Sequence, residues 1–296
     1  MPSNKAVLLA TFAVLATAQT AVSRLWEDKL QDKVRSLDHS LNGVIGLAAI
    51  DLFSGRTIVY NGDIPYPTAS TIKIAIMIQL FRDEHAGRVH FDDKVTLNAK
   101  ENAGGSESPL QTELNKGEVT LTVHDLLENM IVYSDNSATN KLIDVIGMDR
   151  VNQLVRSLGL QNTALRRKMM DTEAAANGNE NISSPLELAT LVRMIYDESA
   201  ADSAACKAML ELMKKVNNGY MRGALPPGTV IASKPGDLDG VRAEVGLVML
   251  PKRPFIVAVM STWLDDNVNP VPDATRAVYG YFFKLAHSNE YGRRLD

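Results

Sequence analysis

Three short runs of this chain carry side chains that could act on a carbonyl together. In Tyr66-Pro67-Thr68-Ala69-Ser70-Thr71-Ile72-Lys73-Ile74, a serine and a lysine stand three apart where an apolar helical stretch begins. That spacing puts a hydroxyl and an amine one turn apart on one helix face. A serine hydroxyl is a weak nucleophile until a neighbouring base takes its proton, and a lysine desolvated in a cleft can lose its charge and serve as that base. Ser-x-x-Lys arises by chance about once in a chain of this length. Its weight comes from two runs further along the chain, Ser134-Asp135-Asn136 and then Lys234-Pro235-Gly236. Taken singly, each run has an ordinary structural explanation. Ser70 would be a helix cap and Lys73 a surface lysine laying its stem on apolar neighbours. Ser134-Asp135-Asn136 would be a polar turn, and Lys234-Pro235-Gly236 a strand end.

The elements that must position these runs can be read from hydrophobic period and punctuation. Residues 22–41 repeat Leu25, Leu30, Val34 and Leu37 among charges, the pattern of an amphipathic helix. Residues 44–51 and 57–60 read as a hairpin around Ser54-Gly55. Residues 71–81 are apolar apart from Lys73 and Gln79, which predicts a buried helix ended near Gly87. Lys73 is costly to bury there unless it faces a polar cleft. Thr122-Val123-His124-Asp125 predicts a capping box and a helix to Met130. Further helices are expected over 138–146, 149–158, 185–196 and 203–216. The third of these opens on Ser184-Pro185-Leu186-Glu187, a capping box with proline at the first helical position. The period then changes, and 230–234, 244–250 and 255–262 read as strands before a closing helix over 272–285. The fold class is therefore mixed α/β (α+β). Both chain ends (about 24–66 and 222–296) build one antiparallel sheet flanked by helices, the middle (about 67–221) forms an all-helical lobe, and the reactive candidates fall where the lobes meet.

Bulk properties narrow the chemistry. The net charge of −4 offers no basic footprint for nucleic acid. The histidines at 39, 85, 90, 124 and 287 are scattered, so no metal site is expected. No glycine-rich phosphate loop follows a strand, so no nucleotide cofactor is expected either. Lys5, the apolar run 6–18 and Ala16-Thr17-Ala18 read as an export signal cut before Gln19. The mature chain 19–296 would then be periplasmic or secreted, with no membrane span left after cleavage. The single cysteine, Cys206, has no partner for an intrachain disulfide, so an exported fold here relies on its core. A monomer is expected.

Ser-x-x-Lys, Ser-Asp-Asn and a Lys-Thr-Gly-like run, in that order, resemble the signature of class A β-lactamases and penicillin-binding proteins. The resemblance extends to Ile50-Asp51-Leu52-Phe53-Ser54-Gly55, to 108–117 and 120–135, and to Ser184-Pro185, covering most of 42–285. It implies a serine hydrolase acting on a small β-lactam or a D-Ala-D-Ala-like substrate. Ser70 would form an acyl-enzyme, Lys73 would take or relay the proton, and Ser134 would pass a proton to the leaving nitrogen. Asn136 would bind the substrate amide and Lys73, and Lys234 would attract a substrate carboxylate and tune Ser134. Next to Gly236, the backbone N–H of Asp237 would form an oxyanion hole with that of Ser70. The position of Ser70 at a helix start supports this, because N–H groups there point at developing negative charge.

The chain departs from that family's pattern twice. Class A β-lactamases carry a Glu-x-x-Leu-Asn segment whose glutamate activates the deacylating water. This chain reads Leu165-Arg166-Arg167-Lys168-Met169-Met170-Asp171-Thr172-Glu173 there. Counting back from Pro185 puts Lys168 near the glutamate's place, and Asp171 and Glu173 are the neighbouring acids, expected on the loop surface. Efficient acylation with slow deacylation is the expectation. In the third motif, Pro235 replaces a hydroxyl residue and Asp237 adds a negative charge, both weakening the hold on an anionic β-lactam. Arg242 is either a compensating carboxylate anchor or a surface arginine. Two further readings stand beside the β-lactamase one: a D-alanyl-D-alanine carboxypeptidase or esterase, and a non-catalytic cell-wall-binding relative.

Overall fold

The computed structural model describes residues 21–105 and 107–295; the expected export signal lies outside them. The chain opens with helix α1 (Ala21–His39) and the hairpin of β1 (Val44–Asp51) and β2 (Thr57–Tyr60). A short strand β3 (Tyr66–Pro67) leads into a 3-10 turn, Ala69–Ile72, that runs straight into α2 (Lys73–His85). The helical lobe comes next. It holds β4 (Lys94–Leu97), α3 (Pro109–Leu114), β5 (Val119–Thr122), α4 (Val123–Val132), α5 (Asn136–Ile146), α6 (Met148–Ser157), α7 (Thr172–Ala176), β6 (Ile182–Ser183), α8 (Pro185–Tyr196) and α9 (Ser203–Lys214). The chain returns through α10 (Tyr220–Ala224) to β7 (Ile231–Leu238), β8 (Val241–Val248) and β9 (Phe255–Thr262), and closes with α11 (Val271–Ala286). No helix among the described residues is long and apolar enough to cross a membrane.

Both chain ends supply the five-stranded sheet, ordered β2-β1-β9-β8-β7, with every neighbouring pair antiparallel. Its centre is buried on both faces, which explains why β1 and β9 read as unbroken apolar runs. Alternation divides them between two cores. Ile45, Leu47 and Ala49 join Val257 and Val259 against α1 and α11. Ala48, Ile50, Ala258 and Met260 pack with the helical lobe. Ten residues of α2 are buried, from Lys73 to Asp83, and its apolar ones join that second core.

Local signals place most boundaries. Thr122 and Asp125 form the expected capping box, with both reciprocal bonds at 3.0 Å. Ser184 accepts from the Glu187 N–H at 3.3 Å, but the box there stays half-made. The Glu187 carboxylate turns instead to the Asn162 N–H at 2.9 Å and the Thr163 hydroxyl at 2.6 Å, so it ties α8 to the loop before it. Lys234-Pro235-Gly236 is not a strand end. β7 continues through Pro235 to Leu238, where the two-residue turn Asp239-Gly240 starts β8. Asp-Gly suits such a turn, because the glycine takes a positive φ, here 69°. β7 is an edge strand, so proline fits if its nitrogen faces the open side. A two-residue turn closes on a hydrogen-bonded pair, Leu238 with Val241, so Lys234 and Gly236 bond to β8 while Pro235 and Asp237 face the open edge.

Two glycines test this packing in opposite directions. A Cβ on Gly236 would lie 2.8 Å from Ser70 N and from Thr68 O, both backbone atoms; Gly280, inside α11, has nothing within 4 Å of its Cβ position. Gly236→Ala is expected to destabilise by ~1–3 kcal/mol, and Gly280→Ala to stabilise by roughly 0.5–1 kcal/mol. Equilibrium urea unfolding of the two variants checks both signs.

Candidate active site

The site forms where α2, the α4–α5 junction and the edge strand β7 converge. In the 3-10 turn that carries Ser70, residues three apart eclipse one another, so Ser70 and Lys73 share one face. The turn is entered through Ala69, a non-glycine residue at φ 45°. Such a conformation costs energy and persists only where its surroundings fix it. Here β7 does the fixing: Gly236 lets the strand lie directly against the Ser70 and Thr68 backbone. Ser70 is half-buried.

Ser134 occupies the break between α4 and α5, also with positive φ, 56°. The break is held by Asp135, the N-cap of α5, which accepts from the Ala138 N–H at 2.6 Å and from the Ser108 hydroxyl. In this conformation the carbonyl and the hydroxyl of Ser134 both reach Lys73 Nζ, at 2.7 and 3.2 Å. Asn136 adds its Oδ1 at 3.0 Å, and its Nδ2 donates to the Gly104 carbonyl at 2.9 Å. From the opposite lobe, Lys234 Nζ approaches the same Ser134 hydroxyl at 2.9 Å and donates to its neighbour's carbonyl, Pro235 O, at 3.1 Å. Two lysines thus meet at one serine oxygen, and both are fully buried.

Burial of that kind favours the uncharged amine. Lys73 falls well below the ordinary lysine range, first through desolvation and then through the positive charge of Lys234; Asp135 pulls the other way. Lys234 is lowered to about 7, again by desolvation, with Glu244 opposing. A neutral Lys73 can accept a proton, and a Ser134 hydroxyl within reach of both amines can pass one on. The Gly236 contact brings the strand that continues to Asp237 against the Ser70 N–H. Backbone N–H donors aimed at a developing negative charge stabilise an oxyanion.

The chain's match to a family model described as Beta-lactamase enzyme family spans residues 29–282. This protein belongs to the β-lactamase enzyme family. It is similar to a β-lactamase of Bacteroides uniformis, 24% identical over 93% of this chain and 98% of that one. It is also similar to β-lactamase AST-1 of Nocardia asteroides, 29% identical over 79% and 77%. Among solved structures, a β-lactamase from Sphaerobacter thermophilus DSM 20745 superposes with TM-score 0.78 at 31% identity, covering 88% of this chain and 97% of that one. The structure of PBP-A superposes with TM-score 0.79 at 28% identity, covering 87% and 97%. The chain is a β-lactamase-like serine hydrolase.

The segment over 165–173 does not present an acid to this family site. Lys168 turns away to Asp144, 2.6 Å distant at the surface. Asp171 caps α7 through the Ala174 N–H at 2.9 Å, and Glu173 is exposed in the first turn of that helix. The segment's buried residues are Leu165, Arg167 and, nearest the acids, Met169. The Met169 backbone is bracketed by the Asn140 amide, at 2.7 Å from its N and 3.0 Å from its O, and its side chain joins the helical-lobe core. Met170 stands at the rim with its thioether beside Gly105. Asn140 escaped the sequence reading although it lies four residues after Asn136, on the same face of α5. Arg242 is brought to the rim beside Asp237, at 3.0 Å. Tyr220, which donates its hydroxyl to Asp237, had no motif to announce it.

Lysines lowered by burial make a signed prediction about stability. Folded Lys73 and Lys234 bind fewer protons than in the unfolded chain between their folded values and about 10.4. Stability therefore rises with pH across that window, from about 7 upward for Lys234. Below it the burial cost of the lysine is fully present. Lys234→Met is expected to raise stability at pH 6 and to lose that advantage by pH 10, as read by urea unfolding at both values.

Proposed function

We propose that the protein is an exported serine hydrolase that forms an acyl-enzyme on Ser70, opens β-lactam rings and releases the product slowly. The observation that carries this is the convergence of buried Lys73 and Lys234 on the Ser134 hydroxyl, opposite a loop that turns Met169 inward and leaves Asp171 and Glu173 at the surface. The relatives named β-lactamase support the substrate class.

In this reading neutral Lys73 takes the Ser70 proton as Oγ attacks the lactam carbonyl carbon. The Ser70 and Asp237 N–H groups hold the oxygen that becomes negative. The C–N bond then breaks, and the Ser134 hydroxyl delivers a proton to the leaving nitrogen while it regains one from Lys73 through their contact. Lys234 polarises Ser134 and attracts a substrate carboxylate. Asn136, fixed between Lys73 and Gly104, orients the substrate amide. Deacylation needs a base to activate water, and its lack typically costs ~10²–10⁴-fold in that step. The leader pattern over 1–18 supports export.

A second reading, a D-alanyl-D-alanine carboxypeptidase or esterase, is favoured by that same loop. Resemblance to PBP-A supports it; a variant of PBP-A was solved as its acyl-enzyme complex with penicillin G. The non-catalytic alternative is disfavoured by two desolvated lysines at one hydroxyl, an arrangement that binding alone does not require.

Time-resolved intact mass spectrometry with benzylpenicillin tests the proposal. A covalent adduct that is absent in Ser70→Ala and outlasts the acylation phase by ~10²-fold or more is the expected outcome. Rapid consumption of the drug with no accumulated adduct would contradict slow deacylation. An acyl-D-Ala-D-Ala peptide cleaved faster than the lactam would favour the second reading.

A further inference from the structure

The open edge of β7 ends in a closed clamp of three side chains. The Tyr220 hydroxyl donates to one oxygen of Asp237, and Arg242 Nη1 lies 3.0 Å from the other. The same Nη1 donates to the carbonyls of Leu238 and Val241, both at 2.8 Å. Arg242 and Asp237 are direct cross-strand partners, so they share a face of the sheet with Pro235. Their exposures differ in a way that decides what a ligand meets: the Arg242 side chain is 18% exposed and that of Asp237 is 53%. The cation is satisfied from within the chain, and the anion is left open to solvent one residue past the Gly236 contact with Ser70.

The clamp is built into the fold. Tyr220 opens α10, and that short helix is fastened to the sheet by Glu244, which is fully buried. Its carboxylate accepts from the Met221 N–H at 2.8 Å and the Ser233 hydroxyl at 2.7 Å. A Cβ on Gly219 would lie 2.3 Å from Glu244 Oε1, so a larger residue there would push the Glu244 carboxylate off these partners. Desolvation first, then the Asp237 hydrogen bond and charge, raise the pKa of Tyr220, which keeps its hydroxyl a donor to Asp237.

We propose that Asp237 is a specificity-determining residue whose carboxylate holds the place of a substrate carboxylate on Arg242, so that the site prefers acyl donors uncharged beside the scissile carbonyl, such as esters or capped peptides. The inference rests on acylation of Ser70. An anionic substrate meets the Asp237 charge first and finds Arg242 already compensated. Attraction is left to Lys234, whose charge is itself weakened by burial. Pro235 supplies no hydroxyl to offset this. Like charges a few ångströms apart disfavour binding even when water screens them.

Benzylpenicillin and its methyl ester differ only in this charge, so their acylation rates at Ser70 read the proposal directly. Rates by intact mass spectrometry would be compared for the wild type, Asp237→Asn, Arg242→Gln and the double variant. The wild type is expected to react with the ester at least as fast as with the acid. Asp237→Asn should raise the acid-to-ester ratio on the order of tenfold, the scale of one partly screened charge. Adding Arg242→Gln should reverse that gain, although alone it moves the ratio little. A wild type that favours the acid tenfold, with a ratio unmoved by Asp237→Asn, would overturn the inference while leaving Ser70 acylation intact. A fluorophosphonate probe run in parallel separates the two levels: if neither it nor either penicillin labels Ser70, the acylation reading fails and this inference with it.

Discussion

Two buried lysine amines converging on one serine hydroxyl is the constraint around which this structure is arranged. A lysine removed from water is costly unless it is paired or neutral, and here two are removed within reach of one oxygen atom. Each comes from a different lobe: Lys73 from the core helix of the helical lobe, Lys234 from the edge strand of the sheet. The cleft is therefore built from both lobes, and burial between them lowers both amines. The left-handed Ser134 and Ala69, the buried Asp135 and the close approach at Gly236 all serve to hold that meeting point. Strain and buried charge gathered at one place fit a site where stability has been traded for reactivity.

The same frame explains how two changes redirect the chemistry without altering the fold. A loop bracketed by Asn140 fills the space beside the helical-lobe core with Met169, so its acids are spent on capping α7 and on the surface. Along β7, proline is tolerated because its nitrogen faces the open edge, and Asp237 is accommodated because Tyr220 and Arg242 balance it. The first change bears on how the acyl group leaves, the second on which acyl donors enter.

Much of this was legible in the sequence, for identifiable reasons. Capping at Thr122, proline at the head of α8 and the switch to β-branched runs after 230 act locally, so the elements they mark sit close to where the pattern puts them. Ser70, Lys73, Ser134, Asn136 and Lys234 were legible because spacing and motif coincide. The path of β7 past Pro235 was not, because only its edge position makes proline acceptable there. The turn of Glu187 away from a full capping box depends on a loop 25 residues earlier in the chain. Tyr220 and Glu244 reach Asp237 and Met221 through contacts about twenty residues apart in sequence, and no local pattern reports such pairings. Asn140 was the one missed residue with a usable signal, its place one turn beyond Asn136.

The central claim is that burial holds both lysines far below their ordinary basicity, which is what lets one hydroxyl serve between them. An NMR titration of protein carrying ¹³Cε-labelled lysine reads this most directly, with Lys73→Arg and Lys234→Arg assigning the two resonances. The account predicts that both separate from the remaining lysines, which titrate near about 10.4, with Lys234 at about 7 and Lys73 also well below the rest. Two resonances that titrate with the surface lysines would contradict it.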